Sequence, residues 1–452
     1  MKIIIVGCGK TGKAILKSMA QEGHDVVAVD RLTEVIDEIT NVWDVMGVCG
    51  NGADPDVLTE AGVQDADVIV SATRSDEVNM LSCFFARRMG AKHTVCRLRD
   101  PEYIEHSLGF LKRELDLSMT INPERMAAHE LFSILKTPSA AKIETFARDN
   151  FELVEIPLRD GGALCGMKLS ELPSKYRTKV LVCAVRRGQE VVIPDGSFVL
   201  RSGDRIAISA VPSEIGRFLR QIGVAQKRAH DVMIVGGGQT AYYLARRLLA
   251  SGSNVKIIEK NEVIAKDLCD ALPAAVVIHG DGARRETLME EGLEKQDALV
   301  TMGGIDEENI LVSILAAGLG VPKIITKINR SYMADVADRL GLDSVVMPQN
   351  IVSDALVQYV RALQNSMGSN VETLYKVMDG KAEALEFNVR ENPKLTGIPL
   401  KEMKLKSNIL LAAIVRERRT IVPGGDDVIL PNDKVIVISA GNRLQDLADI
   451  IG

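Results

Sequence analysis

The chain carries one glycine-rich fingerprint twice. Gly7-Cys8-Gly9-Lys10-Thr11-Gly12 follows the apolar run Ile3 to Val6, and Gly236-Gly237-Gly238-Gln239-Thr240-Ala241 follows Val232 to Val235. Each copy stands between a predicted strand and a predicted helix, and each has an acid 23 positions beyond its first glycine, Asp30 and Glu259. A lone Gly-x-Gly-x-x-Gly is weak and can be no more than a tight strand-to-helix connection. Two copies in that setting, each with its acid, constrain the chain to a tandem of nucleotide-binding folds.

The repeat extends beyond the loops. Gly7 and Asp30 recur 229 positions on as Gly236 and Glu259, and Gly50 and Asn79 recur 230 positions on as Gly280 and Asn309. In the first unit, apolar runs (Ile3 to Val6, Val26 to Val29, Val68 to Val70) alternate with helix-length segments (Lys10 to Glu22, Glu77 to Met89). The second unit repeats the alternation with Val232 to Val235, Val255 to Ile258, Ala275 to Ile278, Ala298 to Val300 and Lys323 to Ile325. This predicts α/β folds: Rossmann-like, doubly wound parallel sheets with helices on both faces.

After each unit the rhythm becomes that of a small α+β module. Gly166, the strand-like Val180 to Val185, the turn Pro194-Asp195-Gly196 and Arg205 to Ser209 are mirrored by Gly397, Ile409 to Val415, Pro423-Gly424-Gly425 and Lys434 to Ser439. Both modules are expected to end in helices, Glu214 to Gln221 and Arg443 to Ile450. The expected domains are 1–140 and 229–365 for the nucleotide folds, and 141–226 and 370–452 for the small modules.

Composition removes several classes. Of 452 residues, 46% are hydrophobic and 26% charged, which supports several cores and excludes disordered and fibrous chains. A net charge of −6 gives no global support for a nucleic-acid or anionic-membrane surface. No apolar run approaches the ~18 residues of a membrane-spanning helix. The N-terminus opens directly on a strand, without signal-peptide features, so a cytosolic protein is expected. The seven cysteines form no Cys-x-x-Cys pair and read as small hydrophobes, implying neither zinc nor a disulfide framework.

The fingerprint residues have distinct expected tasks. Gly7 permits the tight turn, Gly9 lets backbone approach a pyrophosphate, and Gly12 lets helix pack on strand; in the second copy Ala241 takes the third place. The N–H groups from about Gly9 to Thr11, with Gly236 to Thr240 as counterparts, offer an anion site at a helix start. Asp30 and Glu259 would accept from a ribose diol and repel a 2′-phosphate, favouring NAD over NADP, a preference that Arg31 and Lys260 weaken. Thr73-Arg74, Arg97 and its counterpart Lys327 fall at strand ends where such sheets place ligands, and each cation is read either as a phosphate contact or as a solvated charge. Thr73-Arg74 become Gly303-Gly304, Asn51 becomes Asp281 and Cys8 becomes Gly237, so the pockets need not prefer the same nucleotide. Asp76 and Asp306 read as helix caps. The stripes Ala127, Leu131, Ile134, Leu135 and Val352, Leu356, Tyr359, Val360 read as core or interdomain packing, with exchange between protomers as the sharper alternative.

No catalytic constellation is visible. The six histidines fall singly, at 24, 93, 106, 129, 230 and 279, and no Walker lysine follows either loop. An NAD-dependent oxidoreductase with a duplicated fold is the competing class. The segments Lys2 to Gly12, Asp30, Gly50-Asn51-Gly52, Ser71 to Asn79 and Arg97 resemble the regulator-of-potassium-conductance (RCK) domain. With both units and both modules, the chain is similar over nearly its whole length to the TrkA family of regulatory subunits of Trk-type potassium uptake systems. The resemblance implies a non-enzymatic, peripheral cytoplasmic subunit on the inner face of the cell membrane. It implies sites for NAD(H) and for ATP or ADP at Gly7, Cys8, Gly9, Lys10, Thr11, Gly12, Asp30, Arg31, Asn51, Thr73, Arg74 and Arg97, and at Gly236, Gly237, Gly238, Gln239, Thr240, Glu259, Asp281 and Lys327. The implied partners are an integral membrane potassium translocator of TrkH or TrkG type and further copies of the chain, as a tetramer forming a ring of eight RCK domains.

Overall fold

The apolar runs of each unit form parallel strands because their side chains are covered on both faces: Ile3, Ile4, Ile5 and Val29 are fully buried. In the computed structural model, the described residues are 1–136, 142–146, 151–224, 228–366, 371–378, 380–392, 395–417, 419–442, 444 and 446–452. β1 (Lys2–Val6), β2 (Asp25–Asp30), β3 (Met46–Cys49), β4 (Val68–Ser71), β5 (His93–Arg97) and β6 (Met119–Ile121) form a sheet in the order β3-β2-β1-β4-β5-β6. Helices α1 (Lys10–Gln21) and α2 (Asp76–Met89) follow β1 and β4, and α3 (Pro123–Lys136) leaves the sheet after β6. The order reverses between β1 and β4, which opens a crevice at their carboxyl ends.

A small antiparallel sheet follows, β7 (Lys142–Phe146), β8 (Phe151–Pro157), β9 (Leu181–Arg187), β10 (Glu190–Val192) and β11 (Arg205–Ala210), in the order β10-β9-β11-β8-β7. The second unit repeats the plan with β12 (Asp231–Val235), β13 (Asn254–Glu259), β14 (Val276–His279), β15 (Ala298–Thr301), β16 (Lys323–Lys327) and β17 (Val345–Val346), ordered β14-β13-β12-β15-β16-β17. Its helices include α4 (Gln239–Ala250), α5 (Asp306–Gly318), α6 (Ser331–Arg339) and α7 (Pro348–Ser366). The last sheet, β18 (Val371–Val377), β19 (Ala382–Asn388), β20 (Ile409–Arg416), β21 (Arg419–Ile421) and β22 (Lys434–Ala440), runs β18-β19-β22-β20-β21. The duplication reaches individual ion pairs: Arg187 grips the buried Asp204 through two bonds of 2.7 and 2.8 Å, and Arg416 grips Asp433 through two of 2.9 and 2.7 Å.

The two units exchange their crossover helices. α3 packs on α4, with Ala128, Leu131, Ile134 and Leu135 in one core with Ala241, Leu244, Ala245 and Leu248. α7 packs on α1, where Ser353 Oγ donates to Ala14 O (3.2 Å) and lies 2.6 Å from Ser18 Oγ. Arg361 clasps Glu22 at 2.7 and 2.8 Å, with both side chains about nine-tenths buried. The stripes are thus interdomain packing within one chain. The small sheets also share a core, where Cys183, Ala184 and Ala207 meet Ala384, Ala412 and Ala413.

The structure corrects the sequence reading in several places. β3, β6 and β17 are strands of two to four residues that the pattern did not separate from loop. The expected helix Arg443 to Ile450 is a short 3₁₀ turn over Leu447–Ile450, started by the Asp446–Asp449 capping box, and residues 443 and 445 lie outside the described residues. Of the cysteines, Cys8, Cys83, Cys96 and Cys183 are buried, but Cys49 and Cys269 are exposed.

Candidate functional site

Three glycines of the first loop answer to three constraints. Gly7 has φ +86°, and a Cβ there would lie 2.7 Å from Thr73 N; a Cβ on Gly12 would lie 1.9 Å from Gly7 O. Both are fixed by internal packing. At Gly9, with φ −69°, any residue could adopt the backbone, and a Cβ would meet nothing within 4 Å. The same holds at Gly238. Each of these residues starts a helix that no side chain caps, whereas Ser75 Oγ caps α2 by accepting from Val78 N. The opening N–H groups of a helix have no i−4 acceptor, so apart from Ala241 N, which reaches back to Gly238 O (2.8 Å), both loops leave helix-start donors at the sheet crevice. Lys10 is exposed, Thr11 and Gln239 are half-buried, and Thr240 is buried.

The acids lock the loops. Asp30 Oδ2 accepts from Cys8 N (2.7 Å) and Oδ1 from Leu32 N (3.1 Å). Glu259 Oε2 accepts from Gly237 N (2.5 Å) and Oε1 from Asn261 N (2.6 Å). Each oxygen keeps a second lone pair for an outside donor. The replacement of Cys8 by Gly237 has a packing cause: a Cβ at 237 would fall 2.6 Å from Leu268 Cδ1 and 3.0 Å from Glu259 Cβ. The longer glutamate occupies the space that the cysteine takes beside the shorter aspartate. Burial and then the Asp30 charge push the Cys8 thiol up to about 12, so it does not act as a thiolate.

At the opposite wall the organising residue is one that spacing noticed without giving a role. Asn79 Oδ1 accepts from Thr73 N (2.8 Å) and Thr73 Oγ1 (2.7 Å), while its Nδ2 donates to Thr73 O (3.3 Å) and Arg97 O (3.0 Å). Asn309 holds Gly303 and Lys327 O in the same way. Thr73 therefore spends its hydroxyl on the wall, while Arg74 is exposed. The helix-cap reading of Asp76 and Asp306 is corrected. Asp76 accepts from Arg99 N (2.7 Å) and Asp100 N (2.8 Å), and Asp306 from Asn329 N, Arg330 N and Arg330 Nε, so each ties its helix to the loop after the fifth strand.

Neither strand-end cation is a solvated charge. Arg97 donates to Thr73 O (3.4 Å) and stands 3.7 Å from Glu124; Lys327 donates to Met302 O (3.0 Å). Burial pulls both below their ordinary ranges. On the other rim the copies part. Arg31 and Asn51 are exposed and Asn51 Oδ1 caps its own turn at Ala53 N (3.3 Å), whereas Lys260 pairs with Asp281 at 2.8 Å. Among the described residues, no group of acids, histidines and cysteines is placed to hold a metal, and no helix is long and apolar enough to cross a membrane.

The TrkA-N domain model matches residues 3–119 and 232–348, and the TrkA-C domain model residues 153–223 and 384–452. The chain belongs to the TrkA family. Among curated relatives, the Trk system potassium uptake protein TrkA homolog of Archaeoglobus fulgidus is 29% identical over 456 residues, covering 100% of both chains. The Trk system potassium uptake protein TrkA of Vibrio alginolyticus is 30% identical over 449 residues, 98% of this chain and 96% of the relative. The GsuK channel bound to NAD superposes with TM-score 0.63 at 18% identity over 97% of this chain and 77% of the channel chain, and a crystal structure of the GsuK RCK domain gives the same score and identity over 92% of its own chain. These structures show the fold. In this TrkA-family chain the TrkA-N matches end at or before the start of α3 and α7, so the exchanged crossover helices lie between the matched domains.

Proposed function

We propose that this chain is a cytoplasmic regulatory subunit, peripheral on the inner face of the cell membrane, that controls an integral potassium translocator of TrkH or TrkG type by binding NAD(H), ATP or ADP without transforming them. The observation that carries this reading is the pair of loops whose middle glycines, Gly9 and Gly238, have no internal packing reason to lack a side chain and each head an uncapped helix. The domain division is 1–140, 141–226, 229–365 and 370–452, and the sites are those named from the sequence. Full-length relatives named as potassium uptake proteins support the transport assignment.

Exposed apolar side chains on equivalent helices, Leu81 on α2 and Leu311 and Ile314 on α5, support assembly of four chains into a ring of eight RCK domains. Control is linkage: a nucleotide that prefers one ring conformation tenfold supplies ~1.4 kcal/mol per site, and about four such sites reach the ~5.5 kcal/mol that inverts a two-state equilibrium.

The test is calorimetric titration of the full chain and of Gly9→Leu and Gly238→Leu with NAD+, NADH, ATP and ADP, together with NADH absorbance. Each variant should keep the melting behaviour of the parent and weaken its own site about 100-fold, ~2.7 kcal/mol. Binding untouched by either leucine would sink the loop assignment, and consumption of NADH with a metabolite would move the reading to an oxidoreductase.

A further inference from the structure

The helix exchange turns the two candidate sites toward each other. α7 runs alongside α1 in the same direction, since Ser353 meets Ala14 and Ser18 while Arg361 meets Glu22. α3 is the duplicate of α7 and packs on α4, the duplicate of α1, so the same direction follows, with Arg247 bonding His129 across that seam at 2.9 Å. Each crossover helix therefore brings its first turn to the glycine loop of the other unit, Glu124 to the second loop and Gln349 to the first.

Those two residues differ in charge and in commitments. Gln349 donates to Asn329 O (2.7 Å) and is neutral. Glu124 Oε1 lies 3.0 Å from Arg99 Nε and 3.7 Å from an Arg97 terminal nitrogen, both in the first unit. Its Oε2 is buried and has no hydrogen-bond partner among the described residues, and the same is true of Arg97 Nε. The second unit's Lys327 has its ammonium depressed by burial, raised by Asp306 and by Glu124, and lowered further by Lys10 of the first loop. One carboxylate thus pairs with the cation of the first site and acts electrostatically on that of the second.

We infer that Glu124 couples the two nucleotide sites with a negative sign, so that a phosphate engaging Arg97 in the first site weakens phosphate binding at Lys327 in the second. A phosphate carries more charge and offers a guanidinium better acceptor geometry than a carboxylate at 3.7 Å does, so it takes Arg97. Glu124 keeps Arg99 and turns its unpartnered oxygen to Lys327. The ammonium then has its charge answered before a second phosphate arrives. Linkage makes the effect reciprocal: ligand at the second site weakens the first by the same factor.

This inference rests on the nucleotide-sensor reading, and the experiment separates the two. ADP affinity of the second site is measured with the first empty, in Gly9→Leu, and with the first filled, as the weaker step of the unaltered chain. Filling should weaken the second site about fivefold or more. Glu124→Gln, which copies the residue that the other helix carries, should strengthen ADP at the second site and shrink that ratio at least twofold. Gln349→Glu, which leaves Glu124 in place, should weaken ADP at the first site and keeps the idea testable if the first variant misfolds. Equal affinities with the first site filled or empty, or a ratio unchanged in Glu124→Gln, overturn the coupling while the sensor reading stands. No ADP binding to the unaltered chain overturns both.

Discussion

The first and second units have one fold and different margins. In the first, a shorter acid leaves room for Cys8, and Gly12 sits against Gly7 O; in the second, a longer acid excludes any side chain at 237, and Ala241 takes the place of Gly12 with its side chain fully buried. The helix seams differ likewise. α7 on α1 is clasped by the buried pair Arg361–Glu22, while at the equivalent point of α3 on α4 stand Lys136, which is exposed, and Ser251. What a duplicated sequence shares is the backbone path. What differs is which copy holds its seam with charge, and the copies should respond unequally to equal substitutions.

The largest expected inequality is at those seams. Arg361→Ala takes the buried cation away from Glu22 and from Glu383, which it also meets at 3.3 Å, and should cost about 3–5 kcal/mol in urea unfolding. Lys136→Ala removes an exposed ammonium and should change stability by less than about 0.5 kcal/mol. Comparable losses would show that the buried pair contributes nothing special to the first seam.

Next in size is the third fingerprint position. Gly12→Ala drives a Cβ to 1.9 Å from a backbone carbonyl that cannot move aside cheaply, and should cost about 2–4 kcal/mol. Ala241→Gly relieves nothing and adds backbone freedom to a helix, for about 1 kcal/mol. If Gly12→Ala is neutral by thermal melting, the first helix has slack that its contacts do not show.

How much of this was legible in the sequence follows physical range. The glycine loops, the acids and the buried strands are set by neighbours within a few residues, and the apolar runs with their turn signals located them. The short strands β3, β6 and β17 were not legible, because each buries a single apolar side chain (Val48, Ile121, Val346) rather than an unbroken apolar run, and their pairing is dictated by the neighbouring strand. Asp76 and Asp306 sit where caps sit, yet their carboxylates turn to loops 23 and 24 residues away, a partner that local spacing cannot reveal. Asn79 and Asn309 were visible as a repeat; their clamp between two strand ends was not. The loss of Cys8 in the second copy could have been anticipated, since the acid beside it gains one methylene where the loop loses a side chain. The partner of each crossover stripe was beyond reach, because a stripe records that it is buried and not against what.

The smallest effect sharpens the rim comparison. Lys260 is held by Asp281 at 2.8 Å, whereas the equivalent Asn51 offers Arg31 no charge, so a 2′-phosphate should find Arg31 available and Lys260 occupied. NADPH should therefore favour the first site, and Asp281→Asn should raise its affinity at the second by about threefold, a modest gain because both partners face solvent. The Lys260 hydrogen bond, with help from Ala283 N, holds the Asp281 carboxyl below the usual carboxylate range. With the folded pKa depressed, the pair persists above the ordinary value of about 3.9 and is lost only as pH falls through the lowered one. The site preference for NADPH should then be flat from about pH 8 to about pH 7 in the parent chain, where the 2′-phosphate, with its second pKa of about 6, also keeps both charges. A preference that rises or inverts across that window would show that a group other than Asp281 sets the rim.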